Sequence, residues 1–517
     1  MERRKIPGVV REAGMKRIHW QRWLLLLLLL AAWQETGASL DVLAARGNRF
    51  LDILEAMVPP DTGYFLQVLP PLAATIRMSV LGSVLGTALG FLGALVANRW
   101  SNPYPALRVP FKLLIQLLRT VPALILALLC TFLVGLGTLA GTLALTVYTF
   151  GVMTRLGYED IENADWKGAQ ALVAAGTGRG KAFFRGILPK VLPGYLTNAL
   201  YLWEANVRQA AILGYVGAGG IGLLLNEKLA WRAYSQVGTI LLLLYGVVLA
   251  SESLSELLRR ALAGQWRLDG GRKGLLGLAA LLVFGWSLGS LEPAGGSGLR
   301  AAQAVLAGLL HPDVSMLTDL SREGVPYLLW ETFCIALLGT VGGAVLAGLL
   351  SSVASFRLLP FGAALGPRLL LLAIRTIPVF VYGLLWIRVT GPGPFAGALT
   401  LMLCSIGLLS KRFLIALEGI SVGPYQAYEA MGTGRPKAFC RGVLPQLVPG
   451  WGAAILYRLD VNLREASILG LVGAGGIGTP LILALQHYKW QEAGALLWGL
   501  AALVAGVEVI SERLRTR

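Results

Sequence analysis

Charge is scarce in this chain. Only 14% of its 517 residues are Asp, Glu, Lys or Arg, while 56% are hydrophobic and the mean hydropathy is +0.66. Soluble domains typically carry about 25% charged residues, so a soluble globular protein could not hide this much apolar surface. Cysteine and histidine are also few. Cys130, Cys334, Cys404 and Cys440 lie scattered in apolar stretches without CxxC spacing, which excludes a disulfide framework and leaves them as small hydrophobes. His19, His311 and His487 share no helical face, so no metal site is expected. Acidic residues are outnumbered, 28 against 45 basic ones, for a net charge of +17. The cations sit in short segments between apolar runs, which fits a positive-inside membrane protein better than a nucleic-acid partner. What the chain has in plenty is glycine, 65 residues, and small residues let helices approach closely in a bilayer.

A long internal repeat sets the architecture. The segment from Gly176, GTGRGKAFFRGILPKVLPGYLTNALYLWEANVRQAAILGYVGAGGIG, returns 256 residues later at Gly432 as GTGRPKAFCRGVLPQLVPGWGAAILYRLDVNLREASILGLVGAGGIG. The same offset relates Arg119-Thr-Val-Pro122 to Arg375-Thr-Ile-Pro378 and Glu252 to Glu508. A bilayer core of ~30 Å needs about 20 apolar residues per helix. Six candidate spans fall in the first half, near 20–38, 75–97, 111–135, 138–155, 191–213 and 236–257. Six more fall near 275–291, 325–350, 367–390, 394–412, 447–469 and 493–511. The first has the look of a signal peptide, with Arg3, Arg4, Lys5, Lys16 and Arg17 before a leucine run. Its counterpart lies mid-chain, which favours a retained helix.

Positive charge orients these spans. Arg99, Arg108 and Lys112, and then Arg259, Arg260, Arg267, Arg272 and Lys273, mark cytoplasmic segments. The more acidic stretches 39–74 and 292–325 then lie outside. With six helices per half, both halves insert the same way up, as parallel repeats. The expected organisation is a first repeat at 1–262, a cytoplasmic linker at 263–274 and a second repeat at 275–517.

Two motifs invite nucleotide readings and fail them. Gly217, Gly219, Gly220 and Gly222, and again Gly473, Gly475, Gly476 and Gly478, sit in GxGxxG-like runs. They follow membrane helices rather than a strand, so no dinucleotide site is expected. Two readings remain open: close helix packing at a broken segment, or a flexible gate lining the pathway. The run Ala175-Gly-Thr-Gly-Arg-Gly-Lys181-Ala182 resembles a phosphate-binding loop but lacks its first glycine and its Ser/Thr. Energy must therefore come from another subunit or from an ion gradient.

The second copy of the repeat reads Tyr428-Glu429-Ala430-Met431-Gly432, then Arg435, Phe439, Leu444, Pro445 and Pro449. This resembles the coupling motif of type I ABC importer permeases. The run from Asp460 through Asn462 and Arg464 to VGAGGIG at Gly478 resembles phosphonate-transporter permeases in particular. Both copies carry it, over roughly 160–257 and 416–512. The resemblance implies an all-α, roughly twelve-helix MetI-like permease with both halves fused in one chain. It implies a bacterial cytoplasmic (inner) membrane location and an extracytoplasmic phosphonate- or phosphate-binding protein as partner. It further implies two copies of an ABC ATPase subunit that use ATP, with no cofactor in this chain, which is itself no enzyme. Gly176, Arg179, Glu429, Ala430, Gly432 and Arg435 would meet the ATPase, the alternative for the basic side chains being lipid headgroups. The first copy departs from the pattern, with Val173 where the second has Glu429.

Charges inside the spans are the remaining signal. Glu204 and Arg208, and likewise Asp460 and Arg464, are four apart and share a helix face, with Asn206 and Asn462 between them. An intramembrane charge costs at least ~2.5–3.5 kcal/mol, so such residues face a cavity or a partner. They are read as substrate-pathway residues, the alternative being internal pairs that only position the helix. If the resemblance holds, Arg208 and Arg464 would match a phosphorus oxyanion such as phosphonate, phosphate or phosphite. The competing class is a secondary carrier driven by an ion gradient, which offers no reason for two duplicated cytoplasmic segments.

Overall fold

The computed structural model describes residues 23–262, 270–291, 298–356 and 360–515. The sequence readings on Arg3, Arg4, Lys5, Lys16, Arg17, His19, Arg267, most of the 263–274 linker and residues 292–297 lie outside the described residues. Every regular element among the described residues is helical.

The first repeat comprises α1 (Trp23–Glu35), α2 (Leu40–Arg46), α3 (Asn48–Ala56), α4 (Phe65–Ala97), α5 (Pro105–Thr120) and α6 (Ala123–Val134). It continues with α7 (Thr138–Asn163), α8 (Lys167–Ala174), α9 (Arg179–Gly186), α10 (Leu188–Leu213), α11 (Ile221–Ala230) and α12 (Tyr234–Leu262). The second comprises α13 (Gly270–Ser287), α14 (Leu299–Leu310), α15 (Val314–Thr318), α16 (Val325–Val353), α17 (Phe361–Thr376) and α18 (Val379–Thr390). After these come α19 (Pro394–Glu418), α20 (Gly423–Ala430), α21 (Arg435–Ala438), α22 (Leu444–Leu469), α23 (Gly478–Gln486) and α24 (Trp490–Arg515).

Among the described residues, six helices are each long and apolar enough to cross a membrane, and four bent pairs bring the possible spans to ten. The other two expected spans are α13, apolar over Gly277–Ser287, and α22, whose apolar length is diluted by Arg458, Asp460, Arg464 and Glu465. The spans expected near 111–135 and 367–390 are not single helices. α5 and α6 meet at 97° and α17 and α18 at 91°. The break falls at Val121-Pro122 and Ile377-Pro378, where proline lacks an N–H and drives the residue before it into an extended conformation.

The long helix of each repeat packs closely on the helix that opens the next hairpin. Gly82, Gly86 and Gly90 on α4 face α7, where added methyl groups would strike Leu145, Thr149 and Met153. Gly339 and Gly343 on α16 meet Leu401 and Ser405 of α19 in the same way. These matches relate α4 to α16 by 257 residues, one more than the offset that holds downstream.

The chain divides into two compact units that do not follow the repeat boundary. One contains Leu51–Pro312 with Lys489–Ala501; the other contains Met1–Phe50, Asp313–Tyr488 and Ala502–Arg517. In the first unit Trp286 of α13 lies under the Arg77 guanidinium of α4, 4.7 Å from its ring centroid. In the second, α1 lies on α16, where Ala32 packs with Cys334 and Leu337 and the Tyr327 hydroxyl donates to Glu35. Phe50 stacks on Trp386 of α18 at 4.7 Å within that same unit. α1 therefore packs on α16 and α13 on α4, each across the repeat boundary expected from the sequence.

Candidate functional site: the duplicated coupling segments, glycine breaks and intramembrane charges

The segment read as the coupling motif is a pair of short helices in each repeat. α8 ends at Ala174, and Gly176, whose φ of +87° suits glycine, turns the chain toward α9. Gly432, at φ +74°, does the same between α20 and α21. Matching turn bonds close both corners: Gly176 N–H donates to Val173 O at 3.0 Å and Gly432 N–H to Glu429 O at 2.9 Å. Beneath the first corner, Ala169, Ala182, Phe183 and Ile187 form a buried cluster with Ala94 and Ile161. The outer side, with Arg179, Lys181, Phe184 and Arg185, is exposed. Glu429, Ala430 and Gly432 are exposed in the second copy, whereas Val173 packs against the cluster of the first. The Arg435 side chain lies outside the described residues.

The glycine motifs form a compact break between helices. Gly217, Gly219 and Gly220 have φ of +81°, +75° and +80°, and Gly473, Gly475 and Gly476 have +82°, +79° and +73°. A side chain at Gly222 would run into Ala211 O, and one at Gly478 into Ser467 O. The break is also tied down. Ile221 N–H donates to Thr75 Oγ1 at 2.8 Å and Ile477 N–H to Thr332 Oγ1 at 2.9 Å. Gly137 N–H reaches Gly217 O at 2.9 Å, and Gly393 N–H reaches Gly473 O at 2.8 Å. These contacts recur at matching positions in both repeats.

The predicted charge pairs form. Arg208 donates to Glu204 at 2.9 Å, with side-chain exposures of 35% and 10%, and Arg464 donates to Asp460 at 2.7 Å. In each pair the arginine is the more exposed member. The asparagines between them occupy another face. Asn206 is fully buried and donates to Ser83 and Thr149 at 2.8 Å each, joining α10 to α4 and α7. Asn462 donates to Thr340 at 2.6 Å and Ser405 at 2.9 Å, joining α22 to α16 and α19.

Two charged side chains escaped the sequence reading. Arg458 of α22 is buried, donating from Nε to Ser405 Oγ at 3.1 Å and from Nη2 to Glu465 at 2.7 Å. The first repeat has Leu202 and Gln209 there. Scanning one helix for carboxylate–arginine pairs four apart misses a pair seven apart, although the two copies compared position by position reveal it. Arg259 of α12 also lies near Glu204, at 4.0 Å, and over the Tyr201 ring.

The chain matches the family described as "Binding-protein-dependent transport system inner membrane component" twice, over residues 86–264 and 344–517. It is 28% identical over 480 residues to a phosphate-import permease protein, PhnE, of Mycolicibacterium smegmatis, covering 91% of this chain and 89% of the relative. It is 34% identical over 206 residues to the phosphite transport system permease protein PtxC of Stutzerimonas stutzeri, covering 40% of this chain and 74% of that protein. A cryptic phosphonate transport system permease protein, PhnE2, of Escherichia coli is 37% identical over 117 residues, which cover 23% of this chain and 96% of it. With the family matched in both repeats of an all-helical fold, this chain belongs to the inner membrane permease components of binding-protein-dependent ABC importers, and it carries two copies of that component in one polypeptide.

Proposed function

We propose that this permease carries a phosphorus oxyanion (phosphate, phosphite or phosphonate) into the cytoplasm across a bacterial cytoplasmic membrane. The observation that carries the reading is the similarity to a phosphate-import permease along 91% of the chain. The arginine that each repeat holds within a membrane helix, Arg208 and Arg464, suits that cargo, because a guanidinium fork matches the oxygens of a tetrahedral anion. The paired carboxylates Glu204 and Asp460 limit the affinity, so that the anion can leave again. The buried Asn206 and Asn462 set the rotation of these two helices, and the glycine breaks fix their outer ends.

Two copies of an ATPase subunit dock, one at each coupling segment. ATP-driven closure of that pair moves α8–α9 and α20–α21 and switches the access of the path. Gly176, Arg179, Glu429, Ala430, Gly432 and Arg435 form the docking surfaces. A separate extracytoplasmic binding protein delivers the anion.

The test is uptake of radiolabelled phosphate by cells expressing the chain with its ATPase and binding protein. Unlabelled phosphite and phosphonate serve as competitors and a catalytically dead ATPase as the control. Uptake that disappears with the dead ATPase is expected, and the competition pattern ranks the anions. Uptake that survives the dead ATPase and collapses with an uncoupler overturns the reading. Arg464→Ala is expected to abolish uptake while the complex still assembles, as judged by copurification of the ATPase; normal uptake by that variant removes Arg464 from the path.

A further inference from the structure

The two repeats place different residues at one position of the same fold. Asn206 and Asn462 make equivalent clasps on α10 and α22, yet the residues on either side along that buried face differ. Leu202 and Gln209 flank the first asparagine; Arg458 and Glu465 flank the second. The first repeat carries no charge at these two positions. A buried arginine–carboxylate pair is weak support for stability, since both ions lose their water and apolar replacements of similar volume often serve as well. Stability is therefore a weak reason for the second repeat to carry this ion pair.

We propose that Arg458 is an anion-binding residue of the transport path, and that Glu465 is its resident occupant, displaced when the transported oxyanion arrives. The inference rests on the phosphorus-oxyanion reading above. The geometry separates a fixed half from a movable half. Arg458 has a side-chain exposure of 4% and is held at Nε by Ser405, which also accepts from Asn462, itself held by Thr340. Glu465 has an exposure of 23% and meets the guanidinium at Nη2. The carboxylate is the more exposed partner, so it can turn away while the guanidinium stays.

Exchange of one oxyanion for another keeps Arg458 paired throughout, which a buried cation requires. Carboxylate and phosphoryl oxygens offer a guanidinium the same kind of charge-assisted acceptor. Six residues along the helix, Arg464 is similarly held by Asp460 at 2.7 Å. The second repeat accordingly supplies two arginines, each covered by its own carboxylate, where α10 supplies one. Six residues turn a helix by about 240°, so the two arginines lie on different faces of α22, with Arg458 on the face of Asn462.

The experiment measures binding of radiolabelled inorganic phosphate to the full-length permease with its ATPase in lipid nanodiscs, without binding protein, beside uptake by the complete system. Arg458→Leu combined with Glu465→Gln installs the pair that the first repeat already tolerates. It is expected to copurify with the ATPase and to weaken phosphate binding about tenfold or more, the effect of losing one charge-assisted partner. Glu465→Gln alone is expected to tighten binding several-fold, because the resident competitor has gone. Uptake should fall in both, one variant failing to hold the anion and the other failing to release it.

Opposite shifts in binding are the signature, because a purely structural role would move both variants the same way. Shifts in the same direction, or wild-type binding in both, overturn the proposal. If the double variant does not assemble, absence of tightening in Glu465→Gln overturns it alone. A wild-type complex that takes up no phosphate, phosphite or phosphonate overturns the oxyanion reading itself. Normal wild-type uptake with unshifted variants overturns only the role of Arg458.

Discussion

Thr75 and Thr332 each lie within a long membrane helix and accept a backbone N–H from the glycine break, from Ile221 at 2.8 Å and from Ile477 at 2.9 Å. Both donors are otherwise buried, and a buried N–H without an acceptor costs about 1–3 kcal/mol. Thr332→Val, nearly identical in shape, is expected to destabilise the protein by about that amount, read as a lower thermal midpoint of the purified permease; Thr332→Ser should retain most of the stability. An unchanged midpoint for the valine variant would mean that the break holds without this bond. The partnership was hidden in the sequence for a definite reason. The repeat offset of 256 is ungapped from Gly176 onward, but the long helices are related by 257, so the two threonines do not line up. The asparagines show the complementary case. Asn206 lies two residues from both Glu204 and Arg208, and two residues advance a helix by about 200°. Spacing alone therefore sets Asn206 on the other side from the charge pair, where Ser83 and Thr149 hold it.

At the scale of elements, the turns between the paired short helices at Gly176 and Gly432 were legible because glycine and proline dictate backbone geometry directly. Gly176 and Gly432 take φ of +87° and +74° with open space where a side chain would project. The demand for glycine there is conformational, with no steric part. Gly432→Ala is expected to cost about 1–2 kcal/mol of left-handed strain, misdirect α21, and lower both ATPase copurification and uptake. Gly178→Ala provides the contrast, since Gly178 has an ordinary φ of −59° and no atom within 4 Å of an added methyl. It should behave as wild type. Equal effects of the two substitutions would show that the segment is sensitive to bulk and not to backbone conformation. The Thr-x-Pro segments were only half legible. Proline announces an interruption, but its angle depends on what the two half-helices pack against. Apolar runs of adequate length read as single spans near 111–135 and 367–390, yet the structure turns them by 97° and 91°.

At the scale of the whole molecule, the repeat in the sequence and the grouping of contacts give different divisions of the chain. Self-similarity locates copies, and it does not say which copy a helix packs against. α13 belongs by sequence to the second repeat yet packs on α4 through Trp286 and Arg77, and α1 belongs to the first yet packs on α16. The consequence concerns assembly. A chain ending at residue 262 would leave the face of α4 around Arg77 uncovered, and a guanidinium exposed to hydrocarbon is costly. A chain starting at residue 263 would lack α1 and leave Cys334 and Leu337 without Ala32. Neither half expressed alone is expected to yield stable permease. Coexpressed as separate chains, the halves should exchange their opening helices and copurify through a tag on either one, with uptake restored. The pieces are the size at which relatives occur: the phosphite permease matches 206 residues of this chain over 74% of its own length. Stable, monodisperse permease from one half alone would contradict the exchanged packing. Failure of coexpressed halves to associate, while the intact chain assembles, would show instead that the covalent link between the repeats is required for the exchange.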